Sequence, residues 1–288
     1  MRIGIHTSTR DRIDRAANRA REMGCEVIQI FSCNPRSWSM AKLDEAAADE
    51  FIGKLDAFDI RPLIVHVTYL PNLATSDRTV RRKSIRRVID EVRRSDRLGA
   101  DYFVTHLGYH MGAGVERGLA NLRDAIRAVL DATTPNLTLL LENTAGHAGS
   151  VGGRFEHIGW LIGELAGAAD VGVCFDTAHA FAAGYDLRTP EAVAATCAEF
   201  DRLVGLTRIR MIHANDAMLE LGSHRDRHEN IGGGHIGRKG FRAMLEHPAL
   251  TEVPFILETP YEDEAAATLS IRRLKRLRTS VYKARKEV

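Results

Sequence analysis

The chain has 288 residues, of which 44% are hydrophobic and 27% are charged. It can therefore bury a large core, and its composition is not that of a disordered protein. Its length suits one (β/α)₈ barrel or two smaller domains, and a net charge of +2 does not by itself indicate a nucleic-acid-binding protein. No apolar run approaches the roughly 20 residues of a membrane span, and the four cysteines form no closely spaced pair, so we expect a soluble, cytoplasmic protein with reduced thiols.

Apolar runs and amphipathic segments alternate along the whole chain. The apolar runs predict eight strands, at residues 2–6, 27–31, 62–66, 101–106, 137–142, 171–176, 208–213 and 253–258. The amphipathic segments predict eight helices, at residues 11–23, 44–58, 78–98, 115–132, 155–166, 190–203, 238–247 and 263–284. This alternation predicts a single (β/α)₈ TIM-barrel domain over residues 1–288. The alternative, an open doubly wound sheet, would place a glycine-rich phosphate loop after an early strand, and the sequence has none there.

Basic residues cluster in two of the predicted helices. One cluster contains residues 81–83 with Arg86 and Arg87, and the other occupies residues 272–286. Runs of this kind usually form solvent-facing helix surfaces, which is what we expect for both. Contact between the second cluster and DNA remains an open alternative.

Six of the predicted strands end on a side chain that can bind a metal ion. These side chains are spaced 34 to 45 residues apart, the length of one strand–helix unit, and they are His66, His106, Glu142, Asp176, His213 and Glu258. Parallel strands that close into a barrel bring their C-terminal ends to one face. The sequence therefore predicts a metal site at that face.

Two short motifs add three further candidate ligands. Asp176 and His179 stand three positions apart at a strand end, and Asp226 and His228 stand two apart in a glycine-rich loop. In an extended segment, the second spacing points both side chains to the same side. Carboxylates that end apolar strands are costly to bury without a partner, and no arginine occupies the neighbouring strand ends. Metal coordination by five histidines and four carboxylates would supply that partner.

The charge of these side chains indicates how many cations they hold. One divalent cation among four carboxylates would leave a negative site that repels an anionic substrate, whereas three would leave a positive site that binds a phosphodiester. If Glu142 bridges two cations, each cation receives three or four ligands and keeps positions open for water and substrate. Ligands rich in histidine favour Zn²⁺ over Mg²⁺, so we expect three zinc ions per chain.

Four ordered segments extend the pattern beyond the candidate ligands. They are Leu-Glu-Asn-Thr-Ala-Gly at 141–146, Gly-Val-Cys-Phe-Asp-Thr-Ala-His-Ala-Phe-Ala-Ala-Gly at 172–184, His-Ala-Asn-Asp-Ala at 213–217, and Gly-Ser at 222–223 followed by Asp-Arg-His at 226–228. With these segments the chain resembles the endonuclease IV family of apurinic/apyrimidinic endonucleases over nearly its whole length.

The resemblance implies a trinuclear zinc site with a defined set of ligands. The first ion would be held by His66, His106 and Glu142, the second by Glu142, Asp176, His213 and Glu258, and the third by His179, Asp226 and His228. The implied reaction is DNA repair by hydrolysis of the phosphodiester 5′ to an abasic site in duplex DNA, which leaves a 3′-hydroxyl.

The resemblance also implies roles outside the ligand set. Glu142 and Glu258 would be catalytic, the latter by orienting the attacking water as well as by ligation. Arg36, Tyr69 and Leu70 align with loops that enter the bent duplex while the abasic nucleotide leaves the base stack. Without the resemblance, simple packing of Tyr69 over the barrel mouth is the alternative. A monomer is the simpler expectation for action on duplex DNA.

The sequence departs from the family pattern at several positions. Residues 8–11 lack a Gly-Gly pair, and the usual proline and serine are missing after His106. Ala178, Met218 and Gly233 stand where a cysteine or serine, a basic residue and a glutamate are common. None of these positions is a candidate ligand. We therefore expect the departures to affect loop order, phosphate binding and lesion preference but not the metal site.

Two other functions fit part of the pattern. A single-metal sugar isomerase or epimerase on a related barrel would use Glu142, Asp176, His213 and Glu258 and would leave the other five candidates unexplained. A lesion-binding protein that does not cleave would keep the fold and the metals, with the residues at 218 and 233 as its support. The first alternative predicts one metal ion per chain instead of three.

Overall fold

A computed structural model of the chain describes residues 1–167, 170–258 and 263–286, with side-chain burial described to residue 284. Eight parallel strands form a closed barrel: β1 Ile3–His6, β2 Val27–Ile30, β3 Leu63–His66, β4 Tyr102–His106, β5 Thr138–Glu142, β6 Val171–Asp176, β7 Ile209–His213 and β10 Phe255–Leu257. Each strand pairs with its neighbours in sequence, and β10 closes the ring between β7 and β1.

The main helices surround this ring. They are α1 Ile13–Glu22, α2 Glu45–Ala57, α3 Arg78–Arg97, α4 Val115–Thr133, α5 Phe155–Leu165, α7 Pro190–Leu203, α8 Gly237–Glu246 and α9 Glu264–Lys286. The predicted (β/α)₈ barrel is confirmed, and each predicted strand and helix overlaps an observed one. The predicted single domain, 1–288, includes positions 168–169, 259–262 and 287–288, which lie outside the described residues.

A short helix and an antiparallel pair of strands were not predicted, and both follow strands that carry candidate ligands. A short helix, α6 (Thr177–Ala183), begins directly after β6, and an antiparallel pair joins β8 (Asp216–Ala217) to β9 (His228–Glu229). Residues 177–182 of α6 are all buried, so the segment has no polar face to mark it as a helix. The pair of two-residue strands places the loop that carries Asp226 and His228 over the end of β7.

Local side-chain contacts explain where the helices that border the site begin. Asp44 accepts a hydrogen bond from the Ala47 amide at the start of α2, and Asp77 accepts from the amides of Thr79 and Val80 at the start of α3. These carboxylates satisfy amides that have no partner within the helix. The loops after β2 and β3 therefore end at fixed points on the rim.

Apolar side chains fill the inside of the barrel beneath the strand ends. This inner cluster is separate from the layer between strands and helices, and it contains Val27, Ile64, Val104, Leu140, Cys174, Met211 and Ile256. All seven are fully buried. The barrel is closed below its C-terminal face, as expected for a packed core rather than a pore. Among the described residues, no helix combines the length and apolar character needed to cross a membrane.

Candidate metal centre

A cavity of about 370 Å³ opens at the C-terminal face of the barrel. Its walls come from loops and strand ends spread over the whole ring: His6, Phe31, His66, Tyr69, His106, Glu142, His179, Asp226, His228 and Glu258. Strand register builds its floor, because β4 and β5 pair His106 with Glu142 while β6 and β7 pair Asp176 with His213. Candidate ligands far apart in sequence therefore become direct neighbours.

A first group surrounds one oxygen of the Glu142 carboxylate. His66 Nε2 and His106 Nδ1 each lie 3.2 Å from Glu142 Oε2. Glu142 is fully buried and His66 is 3% exposed. The ligand atoms of the three residues lie within 4.8 Å of one another, a spacing that a shared cation could bridge.

A second group surrounds the other oxygen of the same carboxylate. His213 Nδ1 lies 2.9 Å from Glu142 Oε1, 3.3 Å from Glu258 Oε2 and 3.7 Å from Asp176 Oδ2. The ligand atoms of these four residues also lie within 4.8 Å of one another. The two oxygens of Glu142 thus face two different groups, the arrangement of a bridging carboxylate.

A third group lies at the side of the cavity formed by α6 and β9. Asp226 Oδ2 is 3.3 Å from His179 Nε2, and Asp226 Oδ1 is 3.1 Å from His228 Nε2. Asp176 also approaches this group, with Oδ2 3.8 Å from His228 Nε2. The structure thus gathers the nine candidate ligands at one face of the barrel. The ligand atoms of the first two predicted groups are compact, whereas the third compact group consists of Asp176, His179 and His228, with Asp226 between the two histidines. The roles of all nine as ligands stay a prediction.

Backbone carbonyls hold two of the histidines in one orientation. His66 Nδ1 lies 2.7 Å from the Val67 carbonyl, and His179 Nδ1 lies 2.9 Å from the Asn143 carbonyl. When one ring nitrogen donates to a carbonyl, the other nitrogen of a neutral imidazole is free to bind a cation. This is the usual outer environment of a metal-binding histidine, so the residues present fit a bound metal ion.

In the absence of cations, the pKa values of the histidines around the buried carboxylates shift in different directions. Burial opposes it, but the hydrogen bond and charge of Glu142 raise the pKa of His66 to about 9, and Asp226 likewise raises the pKa of His228 to about 9. Burial lowers the pKa of His106 to about 4, with repulsion from His66 contributing. Burial alone would raise the pKa of Glu142, but the imidazolium charges around it hold that pKa well below its usual value.

Cys174 lies close to Glu142 and His213 but belongs to the apolar cluster below them. Its burial raises the pKa of the thiol well above its usual value. Cys174 packs as a small apolar side chain beneath the cavity, and the histidines and carboxylates remain the candidate ligands.

Comparisons with known proteins agree with the barrel fold. Residues 17–278 match the model of the xylose isomerase-like TIM barrel family. Over 276 residues, 96% of this chain and 98% of its relative, the chain is 45% identical to a protein named probable endonuclease 4 from Methanoculleus marisnigri. The crystal structure of endonuclease IV from Thermus thermophilus superposes with a TM-score of 0.86 and 32% identity, covering 96% of this chain and 98% of that one. The chain belongs to the endonuclease IV family.

For more distant barrels, the comparison shows the shared architecture alone. A putative xylose isomerase from Rhodospirillum rubrum superposes with a TM-score of 0.73 at 16% identity, covering 95% of this chain and 99% of that one. At this identity the likeness shows the fold alone. The endonuclease IV resemblance carried by the four sequence segments is confirmed.

The predicted DNA-contacting residues of this endonuclease IV family member lie on two adjacent loops at the rim. Arg36 is exposed in the loop after β2, and Tyr69 and Leu70 follow β3. Tyr69 is 60% exposed, its ring centroid lies 5.2 Å from that of Phe31, and its amide donates to the Pro35 carbonyl at 3.2 Å. The two loops therefore meet beside the cavity.

Two residues at the centre of the site were missed by sequence reasoning. His6 ends β1 in the same way that the chosen residues end their strands, and its ring lies 3.4 Å from Glu258 Oε1. Gln29 is fully buried within β2, where it accepts from His213 Nε2 at 2.8 Å and donates to Glu258 Oε1 at 2.6 Å. The signal for His6 was its place at a strand end, and the signal for Gln29 was a lone amide inside an apolar strand.

Replacing Gln29 with methionine should weaken metal binding by the second group about 10- to 100-fold, the usual cost of losing a partner that orients a ligand. The variant keeps the length of the side chain but releases both His213 and Glu258. Titration of bound zinc against a competing chelator measures the effect. Asn136→Ala removes an amide from the opposite end of the barrel and serves as the control. Equal zinc retention by wild type and Gln29→Met would contradict this role.

Proposed function

We propose that this chain is a zinc-dependent endonuclease that hydrolyses the phosphodiester 5′ to an abasic site in duplex DNA and leaves a 3′-hydroxyl. The observation that carries the proposal is the position of Glu142, whose two oxygens face separate groups of ligands on the floor of an open cavity. Membership in the endonuclease IV family supports DNA repair as the context. We also propose a monomer that acts in the cytoplasm, on the nucleoid if the source is a prokaryote.

Three zinc ions would occupy the three groups. His66, His106 and Glu142 would hold the first, and His179, Asp226 and His228 the third. Glu142, Asp176, His213 and Glu258 would hold the second. Bound zinc supplies two kinds of chemistry, since it lowers the pKa of a coordinated water to about 7 and neutralises charge on a phosphodiester.

Glu258 would orient the attacking water. Both Glu258 and Glu142 line the cavity, but the side chain of Glu258 is 18% exposed whereas that of Glu142 is buried. The amide of Gln29 fixes one of its oxygens, and the side-chain oxygen of Asn215 accepts from its backbone amide at 2.8 Å. A carboxylate held from both sides keeps its direction and can accept a hydrogen bond from water beside the phosphate.

The rim residues would select the lesion. A nucleotide without a base loses its stacking energy, so it costs less to extrude than an intact one. Tyr69 and Leu70 would occupy the space that it leaves in the duplex, and Arg36 would contact the DNA from the neighbouring loop. The cavity of about 370 Å³ lies directly beneath Tyr69, where the extruded nucleotide would enter.

Zinc content and strand cleavage test this function together. The purified protein should contain about three zinc ions per chain by elemental analysis, as its three groups of ligands require. It should cut a duplex at one synthetic abasic site, and the matched undamaged duplex is the control. A single zinc ion with no cleavage would support the sugar isomerase or epimerase, and full zinc content without cleavage would support the non-cleaving lesion-binding protein.

A further inference from the structure

Helix α3 contains a buried ion pair that belongs to none of the three ligand groups. Glu91 is fully buried and Arg87 is 4% exposed, and Arg87 Nε donates directly to Glu91 Oε1. Removing two charges from water costs several kcal/mol per ion, which their attraction repays only when further hydrogen bonds are made. The partners of the two residues therefore indicate what the pair does.

Glu91 holds the loop that follows β3. Glu91 Oε2 accepts from the Thr68 amide at 3.0 Å, and Glu91 Oε1 accepts from the Thr68 hydroxyl at 2.6 Å. Thr68 directly precedes Tyr69 and Leu70, the two residues predicted to enter the duplex. Hydrogen bonds to a charged acceptor are stronger than neutral ones, so this end of the loop is firmly placed.

Arg87 holds the loop that follows β2. Arg87 Nη2 donates to Cys33 Sγ at 2.8 Å, and Arg87 Nη1 donates to the Trp38 carbonyl at 3.3 Å. These two contacts bracket Arg36, the predicted DNA contact of that loop. Only the forked guanidinium reaches both acceptors while its third nitrogen pairs with Glu91.

We propose that Arg87 and Glu91 are positioning residues that hold the two DNA-contacting loops in one fixed arrangement, an inference that rests on the proposed function. The amide of Tyr69 already donates to the Pro35 carbonyl at 3.2 Å, and the ion pair fixes both loops to the same helix behind that contact. Loops that are ordered before binding lose less conformational entropy when they bind. The pair therefore acts on duplex affinity and leaves the metal centre unchanged.

A double substitution separates this role from a merely structural one. Either single substitution would leave one buried charge unpaired and destabilise the fold. Arg87→Met with Glu91→Gln removes both charges at similar volume, and the glutamine amide can still accept from the Thr68 amide and donate to its hydroxyl. The loop after β2 loses its contacts with Arg87, while Arg94 still donates to the Ser32 and Ala41 carbonyls at the two ends of that loop. We expect KM for the abasic duplex to rise about tenfold while kcat stays within about twofold, with unchanged zinc content.

Hydrogen exchange provides a readout that does not depend on activity. Amides of residues 33–38 should exchange faster in the double variant, whereas amides of the inner strands should not. Arg86→Met removes the same charge from an exposed position one residue away and should change KM by less than about twofold. If the double variant is too unstable to measure, Arg87→Lys keeps the pairing charge but loses the fork and should raise KM in the same direction.

The outcomes are distinct. The positioning role would be overturned if the double variant had the wild-type KM for the abasic duplex, or if the amides of residues 33–38 exchanged no faster than in the wild type. This holds even if the wild-type protein cleaves the duplex as proposed. Faster exchange with wild-type KM would show that the loop is held but does not contact DNA, which also overturns the proposal. A wild-type protein that neither cleaves nor binds the abasic duplex would instead remove the proposed function on which the inference rests.

Discussion

Replacing Glu142 with glutamine should lower the rate of abasic-site cleavage by at least about 10³-fold and remove more than one zinc ion per chain. Losing a residue that only orients a ligand lowers metal affinity or activity about 10- to 100-fold. The effect should be larger here because Glu142 is a candidate ligand in two groups at once. Its oxygens lie 2.9 Å from His213 Nδ1 and 3.2 Å from His66 Nε2, so one substitution disturbs both groups. Elemental analysis and single-turnover cleavage measure the two effects on one preparation.

The control for this variant is Glu220→Gln, which makes the same chemical change in an exposed loop at the same face of the barrel. It should keep full zinc content and full activity. Glutamine has the shape of glutamate, so the Glu142 variant should keep its circular dichroism spectrum. Loss of only one zinc ion would show that Glu142 does not bridge, and full cleavage would show that the first two groups are not the reactive centre.

Removing zinc by prolonged chelation should abolish cleavage and give the protein a stability that falls as pH rises. His66 and His228 have pKa values raised to about 9, above the value of about 6.5 in an unfolded chain. Their contribution to stability is therefore fully present below about pH 6.5 and is lost as pH rises through about 9. Glu258 and Asp226 have lowered pKa values, so their contribution is lost in acid, below about pH 4.

The stability of the zinc-loaded protein should instead increase as pH rises from 6 to 9. Imidazoles must be neutral to bind a cation, so zinc uptake releases protons and tightens as pH rises. The difference in Tm between loaded and metal-free protein should widen over this range. His66 and His228 each contribute roughly 3 kcal/mol at most to the change in unfolding free energy of the metal-free protein over this range, because their pKa values are raised from about 6.5 to about 9. Calorimetry at pH 6, 7.5 and 9 checks this, and a constant difference would mean that these imidazoles carry no protons when zinc is absent.

The barrel and the six candidate ligands at strand ends could be predicted from sequence because they depend on local periodicity. Each apolar run ends where the strand ends, and topology alone then brings His66, Asp176 and Glu258 to one face. Contacts made by barrel closure could not be predicted in this way. His6 and Glu258 meet across 252 positions of sequence, because β10 inserts between β7 and β1.

The buried ion pair of α3 shows a second limit of the sequence. Arg87 stands in a run of basic residues, and the prediction that this run faces solvent is wrong for Arg87, although Arg86 is exposed. Adjacent residues on a helix point about 100° apart, so their burial depends on which loops cover each side. The loops after β2 and β3 cover one of them, and helix periodicity does not report loop placement.

Closure by β10 also has a consequence for biosynthesis. A nascent chain that has not yet emerged from the ribosome as far as Phe255 leaves the facing edges of β1 and β7 without partners, and Glu258 is still to come. The first and third groups are complete by His228, but the second, which shares Glu142 with the first, waits for the last strand. Filling of the proposed second site would therefore follow the synthesis of β10 and the closure of the barrel, so metal binding there would depend on the finished fold.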